Sequence, residues 1–379
     1  MQTDLTVLRP KLEHAFEFAQ TQVRNLIGRH PDYFPVYTEK GIWKHGGEKW
    51  TNWCEGFLGG LMWIFHSRTG DPWWRQKAEH YSRLIEERKN DRDVHDLGFL
   101  FWSTWKRWYD LTGEPSVNQV VVQAGQTMGL RFMEKGGYLR SFVAPDSLFI
   151  DIMMNVGIIF YAAQASGDDD LLRKAHQHCR TTRRYLVRGD GSTSHEGIFD
   201  LETGEFLRQT THQGWRGDSC WARGLAWSLY GFGTAYRLTG DHHYLGTARL
   251  CAEYYLENTP FGKNTPGGAG VPPNDYDDPH QADQFESSAA AIAASGLLNL
   301  AGLVQDPVHA ERYLQAALVI LDTLTAEQYL ADKTPGWEGI LKHGIYHLAK
   351  NIGVDESVMW GEYFFVEALD KALALEVKS

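Results

Sequence analysis

Four times along the chain a nearly continuous apolar stretch runs into a Gly-acid turn, and then into a stretch whose apolar positions recur at helical spacing. The copies read "WCEGFLGGLMWIFHSRTGDPWW", "DLGFLFWSTWKRWYDLTGEPSV", "DIMMNVGIIFYAAQASGDDDLL" and "WARGLAWSLYGFGTAYRLTGDHHYL". A fifth, "SSAAAIAASGLLNLAGLVQDPVHAERYL", keeps the outline with Gln-Asp in the turn, and "MWGEYFFVEALDKAL" reads as a sixth apolar helix. In most turns a Gly supplies the positive φ that ends one helix, and an Asp, Glu or Pro starts the next. The turns at Gly70, Gly113, Gly167, Gly240 and Gln305 are far enough apart for two helices of about four turns each plus loops of varying length.

Each repeat is therefore predicted to be a helical hairpin. Its first helix, as in "GLLNLAGL" and "GIIFYAAQ", is apolar nearly all round and should be buried on every side. Its second, as in "RQKAEHYSRLIEERK" and "LLRKAHQHCRTTRRYLV", is amphipathic and should lie outside. Six inner helices ringed by six outer ones make an all-α (α/α)6 toroid, expected to be a single domain over residues 1–379. The inner helices then start at one shared mouth. There they would place Trp53 and Glu55, His95 and Asp96, Asp151, Trp221 and Arg223, Ser287 and Ser288, and Trp360. Helix N-termini favour an anionic ligand at such a mouth. The two longest connections, residues 189–218 and 257–288, are expected to form its walls or rim, with a two-stranded hairpin near Ile198–Leu207.

Composition narrows the class of ligand. The 379 residues, 43% hydrophobic and 22% charged, are enough for a large core, and disorder is not expected. A formal charge of −11 with no basic block argues against nucleic acid. No run approaches the roughly 20 apolar residues of a membrane span, and the first residues lack a signal-peptide pattern, so a soluble cytoplasmic protein is expected, as a monomer or homodimer. Cys54, Cys179, Cys220 and Cys251 are scattered without CxxC spacing, pointing to reduced, buried thiols and to no thiolate metal site. No metal or cofactor is expected. Fourteen Trp, seventeen Tyr and eighteen Phe, many beside Gly, Asp, His or Arg, lean toward a carbohydrate ligand, because aromatic faces stack on sugar rings.

One residue stands out chemically. In "SLFIDIMMNVG" (147–157) the carboxylate of Asp151 lies between two apolar triplets. It is either the N-cap of the helix that follows, or an acid whose pKa is raised by burial. Those readings pull in opposite directions, because a cap's amide donors stabilise the ionised form while a proton donor must resist ionisation.

The motifs "HDLGF" (95–99), "IDIMMN" (150–155), "THQGWRGDSCWARGLAW" (211–227) and "MWGEYFFVEAL" (359–369) occur in an order and approximate spacing that resembles the unsaturated glucuronyl hydrolases of glycoside hydrolase family 88. The likeness runs over nearly the whole chain and implies the same toroid. It also implies hydrolysis of lyase-generated oligosaccharides whose nonreducing end is a 4,5-unsaturated uronic acid. In that chemistry C4 is protonated, water adds at C5, and the resulting hemiketal opens and expels the rest of the chain. The carboxylate-separation rule of ordinary glycosidases does not apply to it.

By this resemblance Asp151 is the acid/base and Asp96 a second essential carboxylate, gripping sugar hydroxyls and, through its charge, helping Asp151 stay protonated. His95 either binds substrate or orients its neighbour. His195, His212 and Gln213 are placed around the uronate and the attacking water, the alternative being loop histidines satisfied by backbone. Arg223 is a candidate for the substrate carboxylate, the alternative being an ion pair with Glu55 or Glu286. Trp221 and Trp227 are six apart, so at most one stacks on sugar; the matching pattern favours Trp227, with Trp53 and Trp360 as further walls. Tyr346 matches a residue near the leaving group, and Phe142 stands where relatives often have Trp. His176, His178, His242 and His243 read as solvated. "YHLAKNIGVDES" lacks the Ser- and Lys-bearing pattern associated with sulfated substrates, leaving Lys350 or Lys342 to meet a sulfate. The rival readings are an unsaturated rhamnogalacturonyl hydrolase, a non-catalytic carbohydrate-binding toroid, and an (α/α)6 sugar epimerase. "HDLGF" together with "IDIMMN" disfavours the first, the buried Asp the second, and the shortage of histidines at the mouth the third.

Overall fold

The alternation of all-apolar and amphipathic stretches folds as alternating inner and outer helices. The structure, a computed structural model, describes residues 3–46, 50–262, 265–280 and 284–376. Among the described residues there are twelve helices. They are α1 (Leu5–Arg29), α2 (Glu55–Thr69), α3 (Pro72–Leu84), α4, α5 (Pro115–Gly129) and α6 (Ile152–Ser166), then α7 (Asp169–Leu186), α8 (Ala222–Thr239), α9 (His242–Asn258), α10 (Ser287–Leu303), α11 (Pro307–Leu324) and α12 (Met359–Leu373). Helix α4 runs Leu97–Phe101, passes through a π turn at Trp102–Lys106 and continues as Arg107–Thr112.

The even-numbered helices pack in a closed ring from α2 round to α12, and each odd-numbered helix packs outside. Burial follows the sequence pattern. Every residue of α10 from Ser287 to Leu297 is buried, whereas α7 buries a single face. His178 lies on that face, fully buried, where its Nδ1 accepts the Leu139 amide at 3.2 Å. Burial pushes it down to about 3, so the expectation of a solvated histidine is corrected.

The turns work as their sequence suggests. Gly70, Gly113, Gly167 and Gly240 end inner helices at φ of 70°, 68°, 69° and 71°. Asp71, Asp168, Asp241 and Asp306 then cap the following helices, accepting the amides of Trp73 (2.8 Å), Leu171 (2.9 Å), His243 (3.0 Å) and Val308 (2.9 Å). Each cap stabilises its helix by about 1 kcal/mol. At the fifth turn, which has no Gly, α10 ends at Val304 with φ −83°.

Short antiparallel ladders join the helices: β1 (Thr38–Glu39) with β2 (Ile42–Trp43), β3 (Phe132–Met133) with β4 (Tyr138–Leu139), and β8 (Gly344–His347) with β9 (Ile352–Glu356). The hairpin expected near Ile198–Leu207 is present as β6 (Glu196–Phe199) and β7 (Phe206–Thr210), and it carries a third strand, β5 (Ser147–Phe149). Beneath the mouth the axis is filled by aromatic rings. Phe99 packs on Phe57 (5.3 Å between centroids) and Trp227 (5.1 Å), and Phe364 on both of those (5.7 and 5.3 Å). Each such buried ring contributes roughly 1.5–3 kcal/mol and makes a rigid floor.

Candidate active site

Asp151 sits where β5 hands over to α6. The ladder sets its neighbourhood: Phe149 pairs with Glu196, and the Ile150 amide donates to the His195 carbonyl at 2.9 Å, which brings His195 beside Asp151. The Asp151 backbone has φ −57° and ψ −28°, and its side chain accepts no first-turn amide. Oδ2 is buried without a hydrogen-bond partner, and His195 Nε2, equally unpartnered, lies 3.5 Å from it. Burial raises Asp151 to about 6, against the opposing pull of Arg223, of its own backbone amide and of His212. The geometry is that of an uncapped acid, not of an N-cap.

Asp96, at the start of α4, likewise caps nothing with its side chain. Glu286 shows the contrast. It opens α10 and accepts the amides of Ser288 (3.0 Å) and Ala289 (2.9 Å), as a capping carboxylate does. The Phe142 amide donates to His95 Nδ1 at 3.0 Å, which leaves the ring proton on Nε2, 3.3 Å from Asp96 Oδ1. His95 is buried and held neutral beside Asp96. Burial, and after it the charge of Asp151, raise Asp96 to about 8, while Arg131 and Arg88 pull the other way. The two carboxyls repel each other, and both are raised above the ordinary carboxylate range.

The loop after β7 completes this side. His195 Nδ1 accepts the amides of His212 (3.2 Å) and Gln213 (3.4 Å), so its Nε2–H faces Asp151, and burial keeps the ring neutral. Backbone satisfaction and a role in the site are therefore compatible for this histidine. His212 Nε2 lies 3.2 Å from Glu196 Oε2, and that contact raises its pKa. Arg223 is not an open fork. Its Nη1 donates to the Ile345 carbonyl, and its Nη2 to the Tyr346 carbonyl at 2.9 Å and to Gln213 Oε1. Its centre lies 4.4 Å from the Trp221 ring and 5.0 Å from that of Trp360, with Glu286 Oε2 at 3.7 Å. What Arg223 brings to the site is a fixed positive charge at the base.

Beside them lies a cavity of about 250 Å³, and His195, buried behind Asp151, is not part of its lining. Its polar floor holds His95, Asp96, Asp151, His212, Gln213 and Arg223, and its walls include Trp53, Phe142 and Tyr346, all anticipated from sequence. Trp221 and Trp227 do not reach the wall. Trp221 lies under Arg223 and against His195 (4.6 Å), and Trp227 lies below, against Phe99. Trp360 is also behind the wall, donating to Ser288 Oγ at 2.8 Å. Ser287 and Ser288 are absent from the lining, and Glu55 turns to Arg88 (2.6 Å). Of the two long connections, the first supplies His212 and Gln213. The described part of the second stays behind, where Asp275 accepts the Trp215 amide at 2.8 Å; its residues 263–264 and 281–283 lie outside the described residues.

Trp50, Phe99, Phe149 and His347 also line the cavity and were missed from sequence. Trp50 precedes two left-handed residues, Thr51 (φ 57°) and Asn52 (φ 52°), a turn that no Gly announces. Lys350 stands on the wall, 4.9 Å over the Trp50 ring, whereas Lys342 is turned away to Glu327 and Thr334.

Fold and cavity together define an all-helical toroid enzyme with a carboxyl pair at the base of an aromatic-walled pocket. The sequence model of glycosyl hydrolase family 88 matches residues 27–264, and the chain belongs to that family. It is 32% identical over 336 residues to an unsaturated glucuronyl hydrolase of Formosa agariphila, covering 86% of this chain and 81% of the relative. It is 31% identical to an unsaturated chondroitin disaccharide hydrolase of Streptococcus pneumoniae, covering 84% and 81%. The solved unsaturated glucuronyl hydrolase of Bacillus sp. GL1, described as responsible for glycosaminoglycan degradation, superposes with a TM-score of 0.87 at 29% identity over 94% of this chain and 96% of that one. The chain is thus a hydrolase with the toroid of these relatives.

Proposed function

We propose that this chain releases the nonreducing-end 4,5-unsaturated glucuronic acid from lyase-generated, glycosaminoglycan-type oligosaccharides, with Asp151 as acid/base. The observation that carries the assignment of roles is the pair of facing, unpartnered atoms, Asp151 Oδ2 and His195 Nε2. The names of the relatives support the substrate class.

In this mechanism protonated Asp151 delivers its proton to C4, the C4=C5 π electrons form the new C–H bond, and positive charge spreads over C5 and the ring oxygen. A water beside Asp151 on the cavity side adds to C5 and returns a proton to Asp151. The hemiketal so formed opens and expels the remaining sugar as an alcohol. Asp151's apolar neighbours suit it to donate near neutral pH, because they disfavour its ionised form. Asp96, neutral over much of the same range, donates a hydrogen bond to a sugar hydroxyl. The fixed charge of Arg223 draws the uronate carboxylate to the base of the cavity, and Trp53, Phe142 and Tyr346 hold the sugar faces.

Among the described residues no helix is long and apolar enough to cross a membrane. The four buried free cysteines support a cytoplasmic protein, and the acidic balance one that does not bind nucleic acid. The test is a panel of unsaturated disaccharides followed by loss of the ultraviolet absorbance of the conjugated C4=C5 bond. Turnover of glucuronyl substrates is expected. Turnover of rhamnogalacturonan fragments alone, or of nothing, overturns the reading.

A further inference from the structure

The first turn of α4 is capped from outside the helix. Asp96 occupies the N-cap position, where a side chain ordinarily accepts the amide two or three residues on. The third of those amides, that of Phe99, donates instead to Asn155 Oδ1 at 2.7 Å. The other end of the same side chain, Asn155 Nδ2, donates to the Asp151 carbonyl at 3.2 Å. Asn155 is fully buried, and the two helices meet there because residue 98 is glycine: a Cβ on Gly98 would lie 2.4 Å from Asn155 Cα and 2.7 Å from its Oδ1. The Asp96 backbone, at φ −97° and ψ 17°, is outside the extended region usual for a capping residue.

We infer that Asn155 is a positioning residue for the carboxyl pair: by taking the Phe99 amide it denies Asp96 a cap contact, so that the Asp96 carboxyl stays turned to the cavity beside Asp151. The role deepens the proposed function and rests on it. A carboxylate that wins backbone amides is stabilised in its ionised form, and Glu286 at α10 shows that arrangement in the same ring of helices. The charged or titratable groups facing Asp96 are Asp151, His95, Arg131 and Arg88. Arg131 and Arg88 already favour ionisation, so a gained amide would add to them and empty the pair of its proton near neutral pH. Asn155 does this without a charge, and it ties Asp96's helix to the backbone of Asp151 in the same stroke.

Two variants with opposite expected signs test the role. Asn155→Ala releases the Phe99 amide to Asp96; kcat/KM should fall by about tenfold or more, and the upper alkaline limb of the pH–rate curve, set by Asp96 near 8 and distinct from that of Asp151 near 6, should move down by about one unit. Asn155→Asp is nearly isosteric, keeps an acceptor for Phe99 and adds a negative charge, so its limb should move up. A readout independent of turnover is folding stability against pH. Because the Asp96 carboxyl is raised from 3.8 to about 8 by folding, wild type should lose stability as pH rises between those two values, and Asn155→Ala should reduce that loss. A purely structural asparagine predicts a loss of stability that is the same at every pH and pH–rate limbs that do not move in either variant; that result overturns the inference. If Asn155→Ala does not fold, a limb that stays or moves down in Asn155→Asp overturns it alone. Failure of the wild type on every unsaturated disaccharide would sink the functional reading, while the stability slopes still decide the role of Asn155.

Discussion

His195 Nε2 and Asp151 Oδ2 face each other at 3.5 Å, both buried, with Asp151 lining the cavity and His195 behind it, and neither atom has a hydrogen-bond partner. Leaving two buried polar atoms unmade costs about 1–3 kcal/mol each.

Replacing either member separates their parts. Asp151→Asn keeps the shape but cannot donate and recover a proton, so kcat should fall by about 10²–10⁴ with little change in fold. His195→Ala removes only a neighbour that positions Asp151, so it should lose less in kcat while Asp151 still titrates. In wild type the rate should decline as pH rises through Asp151's value of about 6, because the protonated form is the one required. A pH–rate profile that stays flat through that region, or near-wild-type turnover by Asp151→Asn, would return Asp151 to a structural part.

Asp96 carries a stability cost that its removal should reveal. A carboxyl raised from 3.8 to about 8 in the fold is well accommodated below 3.8 and costs stability progressively as pH climbs from 3.8 to about 8, because the folded state disfavours the charge more than the unfolded chain does. Asp96→Asn cannot ionise. Its melting temperature should therefore exceed that of wild type by a few degrees near pH 9, with the gap closing near pH 4. Differential scanning calorimetry at the two pH values checks this. The same variant should be nearly inactive, which makes the carboxyl a functional group kept against stability.

The architecture was legible because it is periodic. The Gly-acid turns at Gly70, Gly113, Gly167 and Gly240 mark the hairpins, and the switch from all-round apolar to one-faced stretches tells inner helices from outer ones. The site was legible only as a set of residue types at helix starts. Which of them reach the cavity depends on depth and rotation about the toroid axis, and neither leaves a period in the sequence. Trp227, about one and a half turns down α8, falls behind Phe99, while Trp50, on an irregular turn, reaches the wall. Strand β5 is three residues long, too short for an alternation to be read, yet it sets His195 against Asp151. Arg223 was readable as a charge, but the Ile345 and Tyr346 carbonyls that occupy it come from a hairpin more than a hundred residues away.

Gly98 gives a geometric prediction. A methyl group there would meet Asn155 Cα at 2.4 Å, and that contact is with backbone, which cannot swing aside. Gly98→Ala should destabilise the protein by about 1–3 kcal/mol by forcing α4 and α6 apart. Because the same contact carries the Asn155 bond to Phe99, activity should fall more than stability at a temperature where the variant remains folded. Gly233 on α8 is the control: its nearest neighbour to an added Cβ is a Leu303 methyl at 3.9 Å, so Gly233→Ala should be tolerated in both respects.

The last prediction concerns what lies beyond the unsaturated sugar. Lys350 stands on the cavity wall over the Trp50 ring, whereas Lys342 is held by Glu327 and Thr334. A cation at the wall meets the second sugar of a disaccharide rather than the reacting ring, so its contribution should appear in KM and depend on the charge of that sugar. Lys350→Ala should raise KM for sulfated unsaturated disaccharides severalfold, leave kcat nearly unchanged and affect unsulfated ones less, with the difference shrinking as salt is added. Lys342→Ala should change neither. Equal losses on sulfated and unsulfated substrates would mean that Lys350 acts through the Trp50 ring it covers, as a wall and not as an anion contact.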